Sequence, residues 1–183
     1  MILAQEVLWR FGLDQLWFVP TGLPWMKRDE TITDGYHRRA MVELAIKENN
    51  AFFLSTSELN RPGETYTVDT LEEMRSGDMA EDELLFVMGA DTLHTLHLWK
   101  EPKRILELAR IIVALRPGYG SINLDPLLEI DPTAAERIMT VQMPLIEISG
   151  KELRRRASHG ESIRYLVPGQ VAEYIDQQGL YRS

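Results

Sequence analysis

The sequence predicts an α/β protein built on a doubly wound parallel sheet. Short apolar runs alternate with amphipathic segments, a pattern typical of parallel strands joined by helices. The clearest run, Leu84–Met88, has five apolar residues and predicts a strand buried on both faces. Gly89 ends this run, and Asp91 has the position of a helix N-cap.

This strand end is where parallel sheets bind nucleotides. Gly89 would let the backbone approach a ligand closely. Asp91 is placed to accept a hydrogen bond from a ribose hydroxyl or to cap the helix. Taken alone, the two residues fit a ligand site and a plain turn with a cap equally well.

The composition limits the classes of protein that the chain can belong to. Its 183 residues fit one domain, or one domain with a small appendage, and a hydrophobic content of 44% supports a sizeable core. No apolar run approaches the roughly 20 residues of a membrane helix, and no signal peptide is predicted. A net charge of -8 argues against nucleic acid as the main partner. The lack of cysteine suits a cytoplasmic protein.

The first 75 residues alternate between predicted helices and strands. Met1–Phe11 is predicted as a helix because Leu3, Val7 and Leu8 share one face, and Gly12 ends it. This helix has no N-cap residue, and no strand precedes it. The following predicted elements are a strand over 16–19, a polar loop over 21–33, a helix over 34–47, a strand over 51–55, a turn-rich loop over 57–64 and a helix over 68–75 with Thr67 as its N-cap.

The rest of the chain adds more buried strands and helices. Pro102 opens a predicted helix to about Ala109, because proline suits the first helical turn. Thr133 and Glu136 match a capping box. The other predicted elements are a short helical piece to His97, strands over 111–115 and 137–143 with a loop over 116–120 between them, a helix from Ser149 to about Ser158, and a final helix over 168–178 closed by Gly179.

Residues 149–156 combine a helix start with a basic cluster. Ser149 and Glu152 form a capping box, and the free amides of a helix N-terminus favour an anion. On a helix, Lys151 and Arg155 share a face, so the four cations cannot all serve one ligand. We favour a phosphate site over a solvated basic face because the cap and the charges coincide. The four cations are Lys151, Arg154, Arg155 and Arg156.

Several familiar site patterns are missing from the sequence. It contains neither G-x-x-x-x-G-K-[ST] nor G-x-G-x-x-G, so a bound nucleotide would not be held by either loop. His94 and His97 could share a helix face, but packing or a surface role is the better interpretation. No metal site and no catalytic triad is predicted.

Two tryptophans lie beside lysines. Trp99 precedes Lys100, and its ring fits either the core or the rim of a site that stacks on a planar ligand. Trp25 lies in the polar loop beside Lys27, where a core role is harder to explain. Lys27 itself fits either a phosphate contact or a solvated surface position.

The joint order of the motifs is more specific than any one of them, and it resembles bacterial nicotinate-nucleotide adenylyltransferase from residue 1 to residue 182. The resemblance implies a Rossmann-like nucleotidyltransferase fold and adenylyl transfer from ATP to nicotinate mononucleotide, with Mg²⁺ present. The motifs that carry it are Phe18–Gly22, Pro24–Lys27, Arg38, Met41–Ala45, Thr65–Leu71, Met88–Asp91, Trp99–Lys100, Arg116–Tyr119, Ile148–Ser149, Arg154, Tyr165–Pro168 and Tyr174–Tyr181.

The resemblance implies how the mononucleotide would be held. The backbone at Thr67 and Val68 would bind the nicotinate carboxylate, and the Lys100 amide would help. Trp99 would stack on the pyridine ring. Lys27 matches a basic position near the mononucleotide.

The resemblance also implies an ATP site. Gly89 and Asp91 would meet the adenosine part, and Ser149 and Arg154 would lie near the phosphates. Lys151 departs from the family, which usually has threonine there. This lysine keeps a positive partner for phosphate but removes a hydroxyl.

The family pattern starts before residue 1 of this chain. It begins with a strand, a Gly-Gly-Thr-Phe-Asp-Pro loop and a His-x-Gly-His motif, and Met1 aligns just after the last histidine. We therefore expect Met1 to be an internal methionine of a longer protein. Because one lost transition-state donor typically costs about 10²–10³ in rate, this chain alone should have little activity. No residue is assigned to catalysis.

Two other functions are kept as alternatives. One is adenylyl transfer to another phosphorylated substrate, either nicotinamide mononucleotide or phosphopantetheine. The other is a non-catalytic nucleotide-binding protein, with a purely structural module as the least specific case. In every case we expect one domain over residues 1–183 with a small helical part from about residue 149, and self-association is left open.

Overall fold

A computed structural model describes residues 1–25, 32–77, 79–116, 122–144 and 146–182. None of the helices in these ranges is long and apolar enough to cross a membrane. The chain divides into two compact units, and each is described by itself. Unit 1 comprises Met1–Pro20, Thr31–Thr56 and Ile146–Ser183, and unit 2 comprises Thr21–Glu30 and Ser57–Leu145.

Helices and strands alternate along both units. The α-helices are α1 (Ile2–Arg10), α2 (Gly35–Ile46), α3 (Ser57–Asn60), α4 (Thr67–Ser76), α5 (Ala90–Leu93), α6 (Pro102–Leu108), α7 (Asp125–Leu128), α8 (Gly150–Ser158) and α9 (Gly169–Gln177). The strands are β1 (Leu16–Phe18), β2 (Leu23–Pro24), β3 (Phe52–Leu54), β4 (Glu64–Thr65), β5 (Leu85–Gly89), β6 (Arg110–Leu115) and β7 (Ile138–Gln142). Short 3₁₀ turns cover Leu96–Leu98 and Ala134–Arg137.

Unit 1 is built on a two-stranded parallel sheet. Strand β1 pairs with β3, with Leu16 opposite Phe52. A small core of Ala4, Ile46 and Phe52 packs beside this pair. A second cluster joins α2 to α9, where Val171 contributes a buried side chain. The buried face of each helix therefore follows its apolar residues.

Unit 2 holds the larger sheet, in the order β5-β6-β7, and all its pairings are parallel. Strand β6 lies in the middle, and its residues Ile111, Ile112 and Val113 are completely buried. Short strands β2 and β4 form a separate parallel pair. The central position of β6 explains its continuous apolar sequence, because both faces of such a strand are covered.

The predicted fold class is confirmed, and so are the main elements. The apolar run at Leu84–Met88 forms β5 with a shift of one residue. Asp34 caps α2 by accepting a hydrogen bond of 2.7 Å from the Tyr36 amide. Gly12 and Gly179 have φ of +60° and +59° after α1 and α9, as expected of residues that end helices. The single domain predicted over 1–183 stays a prediction.

Two predictions around α4 are wrong. The region over 57–64 is not a loop throughout, since it contains α3 and β4. A helix of one turn is too short to leave an apolar period in the sequence. Thr67 is not the N-cap of the next helix, because the extended Tyr66 (φ -125°, ψ 141°) takes that position. Thr67 is therefore the first helical residue.

Two other predicted caps are also wrong. Asp91 lies inside α5, because β5 runs directly into that helix and Gly89 is the N-cap. Thr133 does not form a capping box with Glu136. Its amide and its hydroxyl both donate to the Asp131 carboxylate, at 2.9 and 2.8 Å, so the hydroxyl is already engaged.

Candidate functional site

The N-terminus of α4 presents amides that could bind an anion. The first hydrogen bond of the helix runs from the Thr70 amide to the Tyr66 carbonyl, at 3.3 Å. The amides of Thr67, Val68 and Asp69 precede that bond and have no acceptor within the helix. No side chain caps this end. The sequence predicted Thr67 and Val68 as ligand residues, and both lie at this end of the helix.

Tyr66 forms the aromatic wall next to these amides. Its ring stacks on Trp25, with 6.2 Å between ring centres and 28° between planes. The Lys100 Nζ lies 4.8 Å from the centre of the Tyr66 ring, a cation–π distance. The indole of Trp25 therefore packs against the ring of Tyr66, the N-cap residue of α4. The sequence did not predict a core position for Trp25.

The side chain of Lys100, the residue after Trp99, forms an ion pair with helix α4. Its Nζ lies 2.7 Å from the Asp69 Oδ1. The hydrogen bond to Asp69, followed by the charges of Asp69 and Glu101, raises the pKa of Lys100 above its ordinary value, and desolvation opposes this rise. Lys100 is therefore held as a cation beside the predicted ligand residues.

Trp99 is held on two sides by unit 2. Its indole Nε1 donates to the Thr95 Oγ1 at 3.3 Å, and its ring meets Phe86 of β5 edge-on at 6.2 Å between centres. The side chain is half-buried. Such a ring combines a fixed orientation with a partly exposed surface.

Gly89 leaves open space at the carboxyl end of β5. A Cβ built at this residue would meet nothing within 4 Å, and the backbone (φ -77°, ψ 156°) suits any residue. The protein's own packing therefore does not require glycine here. Asp91 follows in α5 with its side chain exposed, so both predicted ATP residues border solvent at the strand end.

Helix α8 of unit 1 carries the predicted phosphate residues. The Ser149 Oγ accepts from the Glu152 amide at 3.1 Å, which confirms this cap. The Arg154 Nη1 would lie 3.2 Å from a Cβ at Gly150, so the guanidinium lies against the first turn. Arg154 and Lys151 have no ion-pair partner within the described part of the chain.

The other two cations of α8 are already paired. Arg155 contacts Glu152 and Glu161, each at 2.8 Å, and Arg156 contacts Glu152 at 3.1 Å. These contacts lower the pKa of Glu152 to about 2, with the Arg155 hydrogen bond as the main cause. Ion pairing therefore engages Arg155 and Arg156, so only part of the basic cluster is available to a ligand.

One predicted residue cannot be placed, and one partner was missed. Lys27 lies outside the described residues. The sequence did not predict the contact of Asp69 with Lys100, because the two residues are 31 positions apart. Among the described residues, no group of three or more His, Asp or Glu side chains could hold a metal ion.

The fold and its family match define the class of the protein. Residues 1–156 match the model of the cytidylyltransferase-like family. A nicotinic acid mononucleotide adenylyltransferase of Plasmodium falciparum, solved with NaAD, superposes with a TM-score of 0.70 at 20% identity, over 92% of this chain and 83% of that one. A protein of Vibrio parahaemolyticus, described as a nicotinate-nucleotide adenylyltransferase, gives 0.64 at 17% identity, over 99% of this chain and 88% of its own. The fold is that of the nucleotidyltransferases.

More similar sequences give the particular family. A probable nicotinate-nucleotide adenylyltransferase of Thermomicrobium roseum is 42% identical over 183 residues, which cover 100% of this chain and 85% of that protein. One from Nocardioides sp. is 37% identical over 99% of this chain and 86% of its own length. The chain belongs to the nicotinate-nucleotide adenylyltransferase family.

Proposed function

We propose that this protein transfers the adenylyl group of ATP to nicotinate mononucleotide. An oxygen of the mononucleotide phosphate attacks the α-phosphorus of ATP, and a new P–O bond forms. The bond from the α-phosphorus to the oxygen that bridges to the β-phosphate breaks, and pyrophosphate leaves. The products are nicotinate adenine dinucleotide and pyrophosphate, as NAD biosynthesis requires.

The uncapped start of α4 is the observation that carries this proposal. The amides of Thr67 and Val68 would donate to the pyridine carboxylate, since helix N-termini bind anions. Trp99 would stack on the pyridine ring, and the Lys100 amide would add a third donor. Lys27 would act near the mononucleotide phosphate. The four described residues all belong to unit 2.

The proposed ATP contacts follow the family resemblance. Gly89 would let the adenosine approach the backbone, and Asp91 would accept from the ribose. Ser149 and Arg154 would contact the phosphates at the start of α8. Fixed donors of this kind lower the barrier by positioning the reactants and by stabilising developing charge.

In this proposal, Mg²⁺ arrives bound to ATP. The described residues form no carboxylate cluster that fits a resident ion. Mg²⁺ in phosphoryl-transfer sites keeps several waters and binds substrate phosphates. We therefore treat the ion as part of the Mg-ATP substrate and assign no protein ligand to it.

The experiment that tests the function measures pyrophosphate release from Mg-ATP with three acceptors: nicotinate mononucleotide, nicotinamide mononucleotide and phosphopantetheine. Calorimetric titration of the same ligands is run beside it. Release that depends on nicotinate mononucleotide would support the proposed function, and it would contradict the low activity that the sequence predicts for this chain alone. Release with phosphopantetheine alone would assign the protein to that substrate instead. Binding of both substrates without release would fit the low activity that the sequence predicts and the non-catalytic alternative alike, and the same assay on a chain extended at its N-terminus would separate the two. Binding of neither substrate would overturn both.

The setting of the reaction belongs to the same proposal. The substrates are water-soluble nucleotides, so we place the reaction in the cytoplasm, with small molecules as partners and neither nucleic acid nor membrane involved. We also propose that residues 1–183 act as one nucleotidyltransferase domain, with its helical part from about residue 149. Light scattering of the purified chain, with and without Mg-ATP, would establish whether it self-associates.

A further inference from the structure

Asp69 and Lys100 form an ion pair beside the start of α4. The Lys100 Nζ lies 2.7 Å from the Asp69 Oδ1, and the two side chains are 41% and 32% exposed, respectively. The same ammonium lies over the face of the Tyr66 ring, 4.8 Å from its centre. Because Asp69 is the third residue of α4, its carboxylate belongs to the same turn as the amides of Thr67 and Val68.

A carboxylate in this turn competes with an incoming anion. The amides at a helix N-terminus carry a partial positive charge that attracts negative groups. The Asp69 carboxylate already neutralises part of that charge. An uncompensated Asp69 would also repel a ligand carboxylate bound at Thr67 and Val68. The Lys100 ammonium cancels the Asp69 charge, which leaves the amides available to the ligand.

We propose that the Asp69–Lys100 pair sets how strongly the site prefers a pyridine carboxylate over the neutral carboxamide. This inference rests on the proposed function. Lys100 supplies the positive charge that favours the acid. Asp69 limits that preference and holds the ammonium against Tyr66. Asp69 is thus a positioning residue that acts through Lys100, in addition to the backbone amides of the site.

The test compares affinities for nicotinate mononucleotide and nicotinamide mononucleotide by titration calorimetry. Lys100→Met keeps the backbone amide and removes the charge. It should lower the acid-to-amide preference roughly 3- to 10-fold, as expected of one charge at partly screened distance. Asp69→Asn should raise the preference by a similar factor. The double variant should return it close to the wild-type value, and added salt should reduce both shifts.

Glu72→Gln is the matched control. Glu72 lies on the same helix and pairs with Arg104 of α6 at 3.0 Å, one turn beyond Asp69. This substitution breaks a comparable ion pair, and the acid-to-amide preference should stay unchanged. A purely structural role of the Asp69–Lys100 pair would weaken both ligands alike in both single variants, without opposite signs.

The outcomes separate this inference from the proposed function. A wild-type protein that prefers the acid, with the same preference in Lys100→Met and Asp69→Asn, overturns the inference alone. A shift of the same sign in both variants also overturns it. A wild-type protein that binds neither mononucleotide overturns the proposed function and the inference together.

Discussion

The α-carbon of Gly22 faces the backbone carbonyl oxygen of Glu58 so closely that a Cβ at residue 22 would lie 2.2 Å from that oxygen. The same Cβ would lie 2.8 Å from the Thr65 Cγ2. This approach brings β2 beside β4, where Leu23 is opposite Glu64. The Glu58 side chain is buried and accepts a 2.8 Å hydrogen bond from the Thr70 hydroxyl of α4. Gly22 therefore packs against the segments that lead into the candidate site.

Gly22→Ala should destabilise the protein. Its methyl group would meet backbone rather than a flexible side chain, so the neighbouring segments would have to move, at a cost of about 1–3 kcal/mol. Urea unfolding followed by circular dichroism would measure the loss. Gly169→Ala is the control, because a Cβ there meets nothing within 4 Å. Equal midpoints for the two variants would contradict the prediction.

Gly89→Ala should keep the fold and weaken ATP binding. The residue has open space and an ordinary backbone conformation, so unfolding free energy should change by less than about 1 kcal/mol. A methyl group at the strand end would stand where we propose the adenosine lies, and ATP affinity should fall at least about tenfold, or about 1.4 kcal/mol.

Titration calorimetry with Mg-ATP and urea unfolding of the same Gly89→Ala preparation separate binding from stability. Nicotinate mononucleotide serves as the internal control, because its affinity should change little. Unaltered ATP affinity would remove Gly89 from the ATP site.

Local signals in the sequence predicted most of the secondary structure. The apolar runs that form β5 and β6 and the Ser149 cap of α8 depend on neighbouring residues alone. The wrong cap predictions fall at positions where more than one local hydrogen-bonding arrangement is possible. The Thr133 hydroxyl donates to the Asp131 carboxylate and does not cap the 3₁₀ turn that follows. Strand β5 runs directly into α5, so Gly89 is the N-cap and Asp91 lies inside the helix.

The candidate site was less accessible to sequence reasoning than the fold. The motifs supplied Thr67, Val68 and Trp99, but no pattern pairs Asp69 with Lys100, because that contact depends on how α4 and the segment after Trp99 fold together. The stacking of Trp25 on Tyr66 has the same origin. Contacts between distant segments follow from tertiary packing, and residue spacing does not encode them.

Glu152 should titrate far below an ordinary glutamate. Its hydrogen bonds to Arg155 and Arg156 lower its pKa to about 2, from 4.5 in an unfolded chain. A carboxyl group with a depressed folded pKa stabilises the folded state above its unfolded pKa, and this contribution is lost as the pH falls. Stabilisation by this group is therefore complete above about pH 4.5 and should disappear between there and about pH 2.

Carboxyl-carbon NMR shifts of Glu152 against pH would measure this value directly. Arg155→Met removes the main partner and should raise the pKa of Glu152 toward 4.5. Arg39→Met, which breaks the Arg39–Glu43 ion pair on α2, is the control and should leave the pKa of Glu152 unchanged. An unchanged pKa of Glu152 after removal of Arg155 would show that this hydrogen bond is not the cause.

Arg154→Met should weaken the binding of ATP more than the loss of a paired arginine does. The Arg154 guanidinium lies against the first turn of α8, beside Gly150, and has no ion-pair partner in the described ranges. A charged hydrogen bond to phosphate contributes about 1.5–3 kcal/mol, so affinity for Mg-ATP should fall roughly 10- to 100-fold. Arg39→Met removes the same charge from unit 1, where Arg39 is paired with Glu43, and should change affinity less than about twofold. Equal losses in both variants, measured by calorimetry at 0.1 M salt, would mean that net charge rather than an Arg154 contact governs ATP binding.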